Sequence, residues 1–454
     1  MAIGGATITG ANVTLLTDLY QLTMLQAYWR EGMMGTATFT LFVRRLPEQR
    51  NYLLACGLDT VLDWLERLRF TTGELEAVSR MGPFDAAFLD WLGDLRFTGS
   101  VRSVAEGTPV FANEPILEVT APLPEAQLLE SYLMNQIHLQ TMVASKAARV
   151  VRAAAGRAIA DFGLRRMHGS DAAIKAARAC HIAGVSATSN VLAGALYGIP
   201  VTGTMAHSYV QAHDREEDAF RAFATLYPKT TLLVDTYDTL EGVRRVCALA
   251  HEMRSRFDVH AIRLDSGDLG QLARAARRIL DEAGLDRIEI FASGGLDEYA
   301  IANLIAGGAP IDGFGVGTDM GVSGDAPSLD IVYKLAEYEG EGRIKRCPGK
   351  SILPGRKQVF RTESEGVATG DVIGLAHETL PGRPLLADVM AAGGRLPAGR
   401  VLLDAARAHA LESLERLPAP LHSLEPAEPR YAVRISPALE AYASRITSAV
   451  LGRS

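Results

Sequence analysis

The feature that most constrains the fold of this chain is an alternation, from residue 157 onward, of short β-prone apolar runs with longer amphipathic segments. Alternation of this kind predicts βα units, in which a helix follows each strand and crosses back over a parallel sheet. The runs that fit buried strands are 158–162, 200–205, 231–235, 260–264, 288–291 and 311–316. They predict an α/β fold built on a parallel sheet or a βα barrel.

The flanking stretches have a different character. Helix-like and strand-like segments are mixed in the first 124 residues, a long buried helix is predicted over 125–155, and strand-like runs return after residue 327. We therefore expect an α+β domain formed by residues 1–124 and completed by 327–396, and an α/β barrel over 125–326. The remainder, 397–454, predicts a helical tail with a linker-like insert at 418–429.

Composition excludes several classes of protein. Hydrophobic residues make up 48% of the chain and charged residues 22%, which is enough to build large cores. A formal net charge of −7, without a long Lys/Arg run, offers no basic surface for nucleic acid. No apolar run is long enough to span a bilayer and no signal peptide is evident, so we expect a cytoplasmic protein.

The four cysteines give no sign of a metal site or of dithiol chemistry. Cys56, Cys180, Cys247 and Cys347 lie far apart in the sequence, and no CxxC pair is present. Cys247 also falls at helical spacing among apolar residues, which favours a core position. We expect no structural metal held by a side-chain cluster.

Polar residues follow every predicted strand. Ligands bind at the carboxyl ends of parallel strands in such folds, so these positions are candidates for a site. The segments concerned are Asp161-Phe162-Gly163-Leu164-Arg165-Arg166, Gly203-Thr204-Met205-Ala206-His207-Ser208, Asp235-Thr236-Tyr237-Asp238, Arg263-Leu264-Asp265-Ser266-Gly267-Asp268, Ser293-Gly294-Gly295 and Gly315-Val316-Gly317-Thr318. Packing alone does not explain six such endings on one rim.

Two of these segments, 293–295 and 315–318, lack bulky side chains where a strand ends. Backbone N–H groups at such places can approach a phosphate closely, helped by the dipole of a following helix. Glycines also serve simply to make tight βα turns, and for either segment alone both interpretations stay open. Together, in consecutive units, the two segments favour a site for a monophosphate.

Charged residues surround the predicted strand 260–264. Asp265 and Asp268 have a spacing that suits sugar hydroxyls or a magnesium ion reached through water, although Asp268 equally fits an N-cap of the following helix. Arg263 places a guanidinium at the mouth of the site, where it suits a carboxylate or a phosphate, with a surface ion pair as the alternative.

His207 is the candidate catalytic residue. A neutral imidazole nitrogen can act as a general base or attack a phosphoryl group, while an exposed structural histidine is the alternative. Ser208 is not part of a GxSxG elbow, which argues against serine hydrolase chemistry.

Together these segments resemble the motifs of the nicotinate phosphoribosyltransferase family. Beside the segments at 161–166, 203–208 and 263–268, the resemblance rests on Thr17-Asp18-Leu19-Tyr20-Gln21-Leu22-Thr23-Met24 and Pro354-Gly355-Arg356-Lys357-Gln358. It runs from about residue 14 to about residue 365. The resemblance implies the irregular (β/α) barrel of the type II phosphoribosyltransferases beside an α+β domain built from N- and C-terminal segments.

The activity that the resemblance implies belongs to NAD salvage. It is the ATP-coupled, Mg²⁺-dependent transfer of phosphoribosyl from phosphoribosyl pyrophosphate to nicotinate, which gives nicotinate mononucleotide and pyrophosphate. Family members are usually homodimers in which the N-terminal region of one subunit completes the active site of the other. Nicotinate, phosphoribosyl pyrophosphate and ATP are therefore the expected small-molecule partners, and nucleic acid and membranes are not.

The resemblance also implies roles for individual residues. His207 would be the histidine that ATP phosphorylates, Thr204 and Arg263 would help hold nicotinate, and Asp265 would bind ribose hydroxyls. Tyr20 would stack on the pyridine ring across the dimer interface, and Arg165 would lie near the pyrophosphate or the carboxylate. The residues expected to hold the 5-phosphate are Gly294, Gly295, Gly315, Gly317 and Thr318. Asp161 and Ser293 are further candidate substrate-binding residues.

Other activities remain open at this stage. Nicotinamide phosphoribosyltransferase shares the barrel and the histidine, but a neutral amide has no need of cations such as Arg165, Arg166 and Arg263. Quinolinate, a dicarboxylate, would call for a denser basic pocket. A phosphosugar isomerase or aldolase would need a catalytic Lys or Glu at a strand end, and no predicted strand ending supplies a lysine. A non-catalytic homologue is the remaining alternative.

Overall fold

A computed structural model describes residue 8, residues 12–345 and residues 352–453. Contacts divide the chain into two compact units. The stretches up to residue 142 and from residue 328 form one unit, and residues 143–327 form the other. Cys347 lies outside the described residues.

Elements of the first stretch and of the unit 143–327 follow one another along the chain. The first stretch contains α1 Leu19–Glu31, β1 Thr36–Val43, β2 Leu53–Leu54, α2 Leu58–Leu65, α3 Thr72–Met81, α4 Ala86–Asp94, β3 Ser100–Ser103, β4 Pro109–Val110, β5 Pro115–Pro122, α5 Leu123–Leu128 and α6 Glu130–Ala153, which ends beyond residue 142. The unit 143–327 then contains β6 Ala158–Asp161, α7 Ser170–Ile182, β7 Ala187–Thr188, α8 Val191–Tyr197, α9 His207–Gln211, α10 Glu216–Leu226, β8 Thr231–Leu233, α11 Thr239–Met253, β9 Ala261–Leu264, α12 Leu269–Glu282, β10 Glu289–Ser293, α13 Glu298–Ala306, β11 Gly313–Val316 and α14 Thr318–Val322.

The last stretch is rich in strands. It contains β12 Ile331–Tyr338, β13 Glu341–Gly342, β14 Lys357–Ser364, β15 Val367–Leu375, β16 Arg383–Pro384, β17 Ala387–Ala391, β18 Gly394–Arg395, α15 Leu403–Glu415, β19 Val433–Ile435 and α16 Pro437–Arg453. Short 3-10 helices lie at Val13–Leu15, Leu164–Arg166, Arg254–Arg256, Pro397–Gly399 and Ala419–His422.

The unit 143–327 is built on a curled, wholly parallel six-stranded sheet in the order β7-β6-β11-β10-β9-β8. The last strand, β11, pairs with the first, β6, so the strands follow chain order around the curl. A single bridge from Thr188 to Val201 extends the sheet beyond β7. The predicted α/β fold with a parallel, barrel-like sheet is confirmed.

Five of the six predicted strands form, but the prediction of a strand over 200–205 is wrong. Pro200 has no N–H to donate to a strand ladder, and only Val201 pairs before the chain leaves the sheet towards Gly203. The short strand β7, which the sequence analysis did not predict, takes the place beside β6.

Three consecutive βα units repeat one local design. Helices α11, α12 and α13 each begin directly after an aspartate whose side chain accepts a hydrogen bond from a backbone N–H three residues on. These N-caps are Asp238, Asp268 and Asp297. In α12, Ala273, Ala276 and Leu280 are buried on the face towards the sheet, so amphipathic spacing and capping together fix each helix.

The other unit contains mostly antiparallel sheets. Seven strands pair in the order β13-β12-β1-β5-β3-β17-β18, four in the order β16-β14-β15-β19, and β2 pairs with β4. Thus strands from the start and the end of the chain share one sheet, as expected for an α+β domain completed by the C-terminal segment. In place of the single helix predicted over 125–155, α5 and α6 meet at Leu129.

The interpretation of 418–429 as a linker-like insert is wrong. Leu421 and Ala427 are buried in a cluster with Tyr52 and Phe111, and the Asn51 side-chain amide donates to backbone carbonyls of this segment. Strand β19 then pairs with β15 in parallel. Residues after 397 are therefore packed into the unit through a strand as well as through helices.

None of the helices in the described ranges is long and apolar enough to cross a bilayer. The longest apolar-rich helix, α6, carries charged residues such as Lys146 and Arg149 within its length. A membrane-spanning helix is therefore not found in this part of the chain.

We predict that Gly242→Ala destabilises the unit 143–327. An added Cβ would lie 2.2 Å from the backbone carbonyl oxygen of Val234, which cannot move without disturbing the end of β8. Overpacking of this kind costs about 1–3 kcal/mol of unfolding free energy. Gly270→Ala, whose Cβ would make only ordinary contacts at 3.5 Å, is the control and should be neutral or stabilising by up to about 1 kcal/mol. Equal urea midpoints for the two variants would contradict this account.

Candidate active site

Three neighbouring strands bring most of the predicted site residues of the unit 143–327 together. In the register of the sheet, Ala292 pairs with Leu264 and Ser293 pairs with Gly315. The residues that follow these strands, including Asp265, Gly294 and Gly317, therefore emerge side by side at one edge. This edge is the carboxyl edge of a parallel sheet, where the βα fold leaves side chains and backbone amides free of ladder pairing.

Arg263 is the centre of a hydrogen-bonded group at this edge. Its Nη2 donates to Asp265 Oδ1 at 2.7 Å, its Nε to Ser293 Oγ at 2.8 Å and its Nη1 to Thr204 Oγ1 at 3.1 Å. The guanidinium also lies over the ring of Phe162, with 5.5 Å between the Cζ atom and the ring centroid. Four predicted site residues and one aromatic ring are thereby held in a fixed arrangement.

The carboxylate of Asp265 is kept ionised by its neighbours. Burial by itself would raise the pKa of Asp265, but the hydrogen bonds from Arg263 and from Ser293, the latter at 2.5 Å, outweigh it and hold that pKa below its ordinary value. Because the pKa is lower in the folded state, ionised Asp265 stabilises the fold above its unfolded-state pKa. This stabilisation is lost as the pH falls through the folded-state pKa.

Asp235 is a site residue whose sequence position, at the end of a predicted strand, indicates no particular role. Its Oδ2 accepts from the backbone N–H of Asp265 at 2.8 Å and from Ser266 Oγ at 2.7 Å, so it fixes the turn that presents Asp265. Its Oδ1 is buried and accepts no hydrogen bond from the described residues. Its position just after β8 is the sequence feature that points to the site, because ligands bind at the carboxyl ends of parallel strands.

His207 is the first residue of α9 and lies beside Asp265. Its Nε2 is 3.9 Å from Asp265 Oδ2, and its Nδ1 is 3.1 Å from Thr236 Oγ1. If Thr236 accepts a proton from Nδ1, the lone pair of the neutral imidazole is on Nε2, which is the nitrogen on the Asp265 side. The side chain is 39% exposed, so a substrate can reach it.

The glycines at this edge are required for different reasons. Gly294 has a φ of +94°, and a Cβ there would lie 1.9 Å from the carbonyl oxygen of Asp265. Gly315 makes room for the ring of Phe162, which would be 2.5 Å from an added Cβ. At Gly295 an added Cβ would meet no atom within 4 Å, and Thr318 is exposed at the start of α14. Gly295 and Thr318 thus border open space at adjacent strand ends.

Asp161 is the last residue of β6 and Arg165 lies four residues later, but one is buried and the other is exposed. Asp161 is buried, with its carboxylate accepting from the Gly163 N–H and the Thr188 hydroxyl, both at 2.8 Å, and burial raises its pKa. Arg165 is exposed, and within the described residues no hydrogen bond or ion pair engages it. Asp161 therefore holds the turn together in this structure, whereas Arg165 is a cation available to a ligand.

Tyr20 lies in the other unit, in α1. Its side chain is 48% exposed, and its hydroxyl donates to Glu130 Oε2 at 3.1 Å. Burial and the neighbouring Glu130 carboxylate raise the pKa of Tyr20 to about 12, so it is a neutral phenol at physiological pH. Glu130 also accepts from Gln21 and from Lys334, which fixes the orientation of the phenol.

Within the described ranges, no group of three or more His, Cys, Asp or Glu side chains is arranged to hold a metal ion. Asp268 is the N-cap of α12, as the alternative interpretation of that residue predicted. Among the described residues, no lysine stands directly after a strand of the curled sheet, so the position that an aldolase or isomerase would use for a catalytic lysine is not filled.

We predict that Ser293→Ala raises the pKa of Asp265 towards its ordinary value, because the variant removes a hydrogen bond to the ionised carboxylate. Thr204→Val is the matched control, since Thr204 contacts the other end of the Arg263 guanidinium and not Asp265. A carbon-13 NMR titration of labelled aspartate carboxyls measures both. An Asp265 pKa in Ser293→Ala that is unchanged from the parent would contradict this assignment.

Comparisons with known proteins identify the family of this chain. Residues 15–138 match the model of the nicotinate phosphoribosyltransferase N-terminal domain, and residues 157–373 match the model of the nicotinate phosphoribosyltransferase family. The chain is 54% identical over 422 residues to nicotinate phosphoribosyltransferase pncB2 of Mycobacterium tuberculosis, which covers 93% of this chain and 91% of that protein. It is 44% identical over 377 residues to the nicotinate phosphoribosyltransferase of Bacillus subtilis, covering 81% and 77%.

A solved structure has the same fold. The crystal structure of human nicotinic acid phosphoribosyltransferase superposes with a TM-score of 0.84 at 29% sequence identity, covering 95% of this chain and 99% of that one. Both flanking stretches and the curled parallel sheet are therefore included in the likeness. The chain belongs to the nicotinate phosphoribosyltransferase family.

Proposed function

We propose that this protein transfers the phosphoribosyl group of phosphoribosyl pyrophosphate to nicotinate, forming nicotinate mononucleotide for NAD salvage. The observation that carries the proposal is the 54% identity, over 93% of the chain, to a protein named nicotinate phosphoribosyltransferase. The side chains at the strand edge are consistent with this chemistry: an ionised carboxylate is hydrogen-bonded to a guanidinium, and a reachable imidazole lies 3.9 Å from that carboxylate. We also infer that the enzyme works in the cytoplasm.

The chemical step breaks the bond between C1 of the ribose and the pyrophosphate oxygen. Positive charge develops on the ribose ring as pyrophosphate departs and the pyridine nitrogen attacks C1, so the enzyme gains most from fixed charges and fixed positions. Asp265 would bind ribose hydroxyls through Oδ2, because Arg263 and Ser293 already occupy its Oδ1.

The 5-phosphate would be held by the two glycine segments. Gly294 and Gly295 follow β10, while Gly317 and Thr318 follow the adjacent β11. The backbone at Gly295 borders open space, and Thr318 can add a hydroxyl. Gly315 would act indirectly in this scheme, by leaving room for the Phe162 ring on which Arg263 lies.

Mg²⁺ would accompany the pyrophosphate. The carboxylates present fit such an ion, because Mg²⁺ usually takes one or two protein carboxylates together with substrate phosphates, and Asp235 keeps a buried oxygen without a hydrogen-bond partner among the described residues. Asp265 and Asp235 would hold it. When bound, Mg²⁺ supplies positive charge that stabilises the departing pyrophosphate.

Nicotinate is an anion, and we propose that Arg165 contacts its carboxylate or the pyrophosphate. Arg263, although nearer the centre, already donates to three partners and is neutralised by Asp265. Arg263 and Thr204 would then orient the base rather than carry its charge. Arg165 has no competing carboxylate among the described residues.

ATP coupling and dimer formation complete the proposal. His207 would accept the γ-phosphoryl group of ATP on Nε2, the nitrogen that faces Asp265, with ADP as the leaving group. In a homodimer, exposed Tyr20 would stack on the pyridine ring bound by the partner subunit, and its phenol would stay neutral there.

The experiment that tests the proposed function follows product formation by chromatography. The protein is supplied with phosphoribosyl pyrophosphate and Mg²⁺, and with nicotinate, nicotinamide or quinolinate, each with and without ATP. Nicotinate mononucleotide from nicotinate, at a rate increased by ATP with release of ADP, is expected. Product from nicotinamide instead would move the assignment to the amide-using enzyme, and no product from any base would overturn it.

We predict that His207→Ala removes the stimulation by ATP while leaving a slow ATP-independent transfer, because the variant loses the nitrogen that accepts phosphate. His213→Ala is the control, since His213 hydrogen-bonds to the backbone of Tyr209 in its own helical turn. The measurement is the ratio of initial rates with and without ATP. An unchanged ratio in His207→Ala would overturn the phosphohistidine role.

We predict that Arg165→Gln raises the KM of whichever anion it contacts by about tenfold or more, the value of one charge-assisted hydrogen bond. A rise confined to nicotinate would assign Arg165 to the ring carboxylate, and a rise confined to phosphoribosyl pyrophosphate would assign it to the pyrophosphate. Arg166→Gln, in the same exposed 3-10 helix, is the matched control. Equal, small changes in both variants would contradict a specific role for Arg165.

A further inference from the structure

A buried lysine forms ion pairs with residues that closely follow the two glycine segments in the chain. Lys146, on α6, is 1% exposed, yet its Nζ lies within ion-pair distance of three carboxylates. The oxygens are Glu298 Oε2 at 2.6 Å, Asp319 Oδ2 at 2.5 Å and Asp325 Oδ1 at 2.9 Å. A single cation at this depth is therefore a shared anchor for several chain segments.

Two of these carboxylates lie close in sequence to the two glycine segments. Glu298 is the first residue of α13, three residues after Gly295, and Asp319 is the second residue of α14, two residues after Gly317. Since β10 and β11 are adjacent in the sheet, the two glycine segments leave it side by side. Lys146 thus ties the chain directly behind both segments to one point on a long helix.

The group formed by Lys146 and its three carboxylates is ionised, and its members are held by further contacts. Burial would lower the pKa of Lys146, but the three carboxylates outweigh this and raise it, so the ammonium is charged at neutral pH. The Glu298 carboxylate is held on its other oxygen by Arg149 Nε at 2.8 Å, and Arg149 also donates to the hydroxyl of Tyr299 at 3.0 Å. Both ends of the Glu298 carboxylate are therefore fixed.

Fold stability alone is a weak explanation for such a group. An apolar replacement of a buried ion pair is often neutral or stabilising, because the desolvation of the charges offsets their attraction. What a buried, multiply bonded cation does supply is a fixed separation between the segments it joins. Recognition of a phosphate by backbone N–H groups needs that separation held to about 0.5 Å.

We propose that Lys146 is a positioning residue that sets the spacing of the 293–295 and 315–318 segments and so determines affinity for the 5-phosphate of phosphoribosyl pyrophosphate. The inference rests on the proposed function, because it takes these two segments to be the phosphate site. Lys146 itself touches no substrate in this scheme. Its effect is therefore expected on phosphoribosyl pyrophosphate and not on nicotinate.

The test uses two variants that loosen the anchor from different sides. Asp319→Asn removes one charge at α14, where the side chain is 34% exposed, and Glu298→Gln removes one at α13. Each should raise the KM for phosphoribosyl pyrophosphate by about tenfold, while kcat and the KM for nicotinate stay within about twofold. Thermal stabilisation by phosphoribosyl pyrophosphate with Mg²⁺ should weaken in parallel, which measures binding without turnover.

A similar charge cluster in the other unit is the matched control. The side chain of Arg395 is 7% exposed and is surrounded by Asp59, Asp63 and Glu66 at 2.7, 2.6 and 3.2 Å. Asp59→Asn, at a side chain 40% exposed, should lower the melting temperature as Asp319→Asn does and leave every KM at the parent value. This control therefore distinguishes a general loss of stability from a displacement of the two glycine segments.

The outcomes are distinct. If Asp319→Asn and Glu298→Gln lower the melting temperature but keep the parent KM for phosphoribosyl pyrophosphate, as Asp59→Asn does, Lys146 is only structural and the inference is overturned. The same holds if kcat falls and that KM does not change. Absence of nicotinate mononucleotide from the parent protein would overturn the proposed function and the inference together. Should Glu298→Gln not fold, Asp319→Asn decides by itself.

Discussion

The pairing of β11 with β6 is the constraint on which the candidate site depends. It joins the last strand of the βα series to the first, so that Val316 lies beside Asp161 although 155 residues separate them in sequence. Without this pairing β6 and β7 would be separated from β8 to β11, and the turn after β6 would not lie beside the turn after β11. With it, the sheet curls, and the turns after β6, β8, β9, β10 and β11 face a common region.

Within that region, the ion pair between Arg263 and Asp265 indicates which groups orient neighbouring side chains and which are left to bind anions. Arg263 is the best-placed cation, but Asp265 neutralises it and three hydrogen bonds fix its orientation. It therefore acts chiefly as a brace for Asp265, Ser293 and Thr204. In the proposed scheme, anions would be recognised by the backbone amides of the glycine segments and by the exposed Arg165, for which the described residues supply no ion pair.

The sequence predicted the curled sheet well because each βα unit carries its own local signals. A buried apolar run, an aspartate N-cap and an amphipathic helix recur in order, so strand ends such as Asp265 and Ser293 could be located without a structure. The signals failed at 200–205, where an apolar run contains Pro200 and Gly203 and makes only one bridge. The roles of individual site residues, apart from their positions, came from the resemblance to the family and remain predictions.

What local signals could not predict are the contacts that link distant segments. Nothing in the sequence around Lys146 indicates that its ammonium meets Glu298 and Asp319, because a lysine in an amphipathic helix is usually solvated. The same is true of Asn51, whose amide holds the 418–429 segment against the cluster around Phe111. Both are buried polar groups whose partners lie far away in the chain. Such groups are costly unless all of their hydrogen bonds are made, so their partners have to be placed accurately. One of these groups, Lys146, pairs with residues that follow the glycine segments in the chain, where in the proposed scheme accurate placement would also serve phosphate binding.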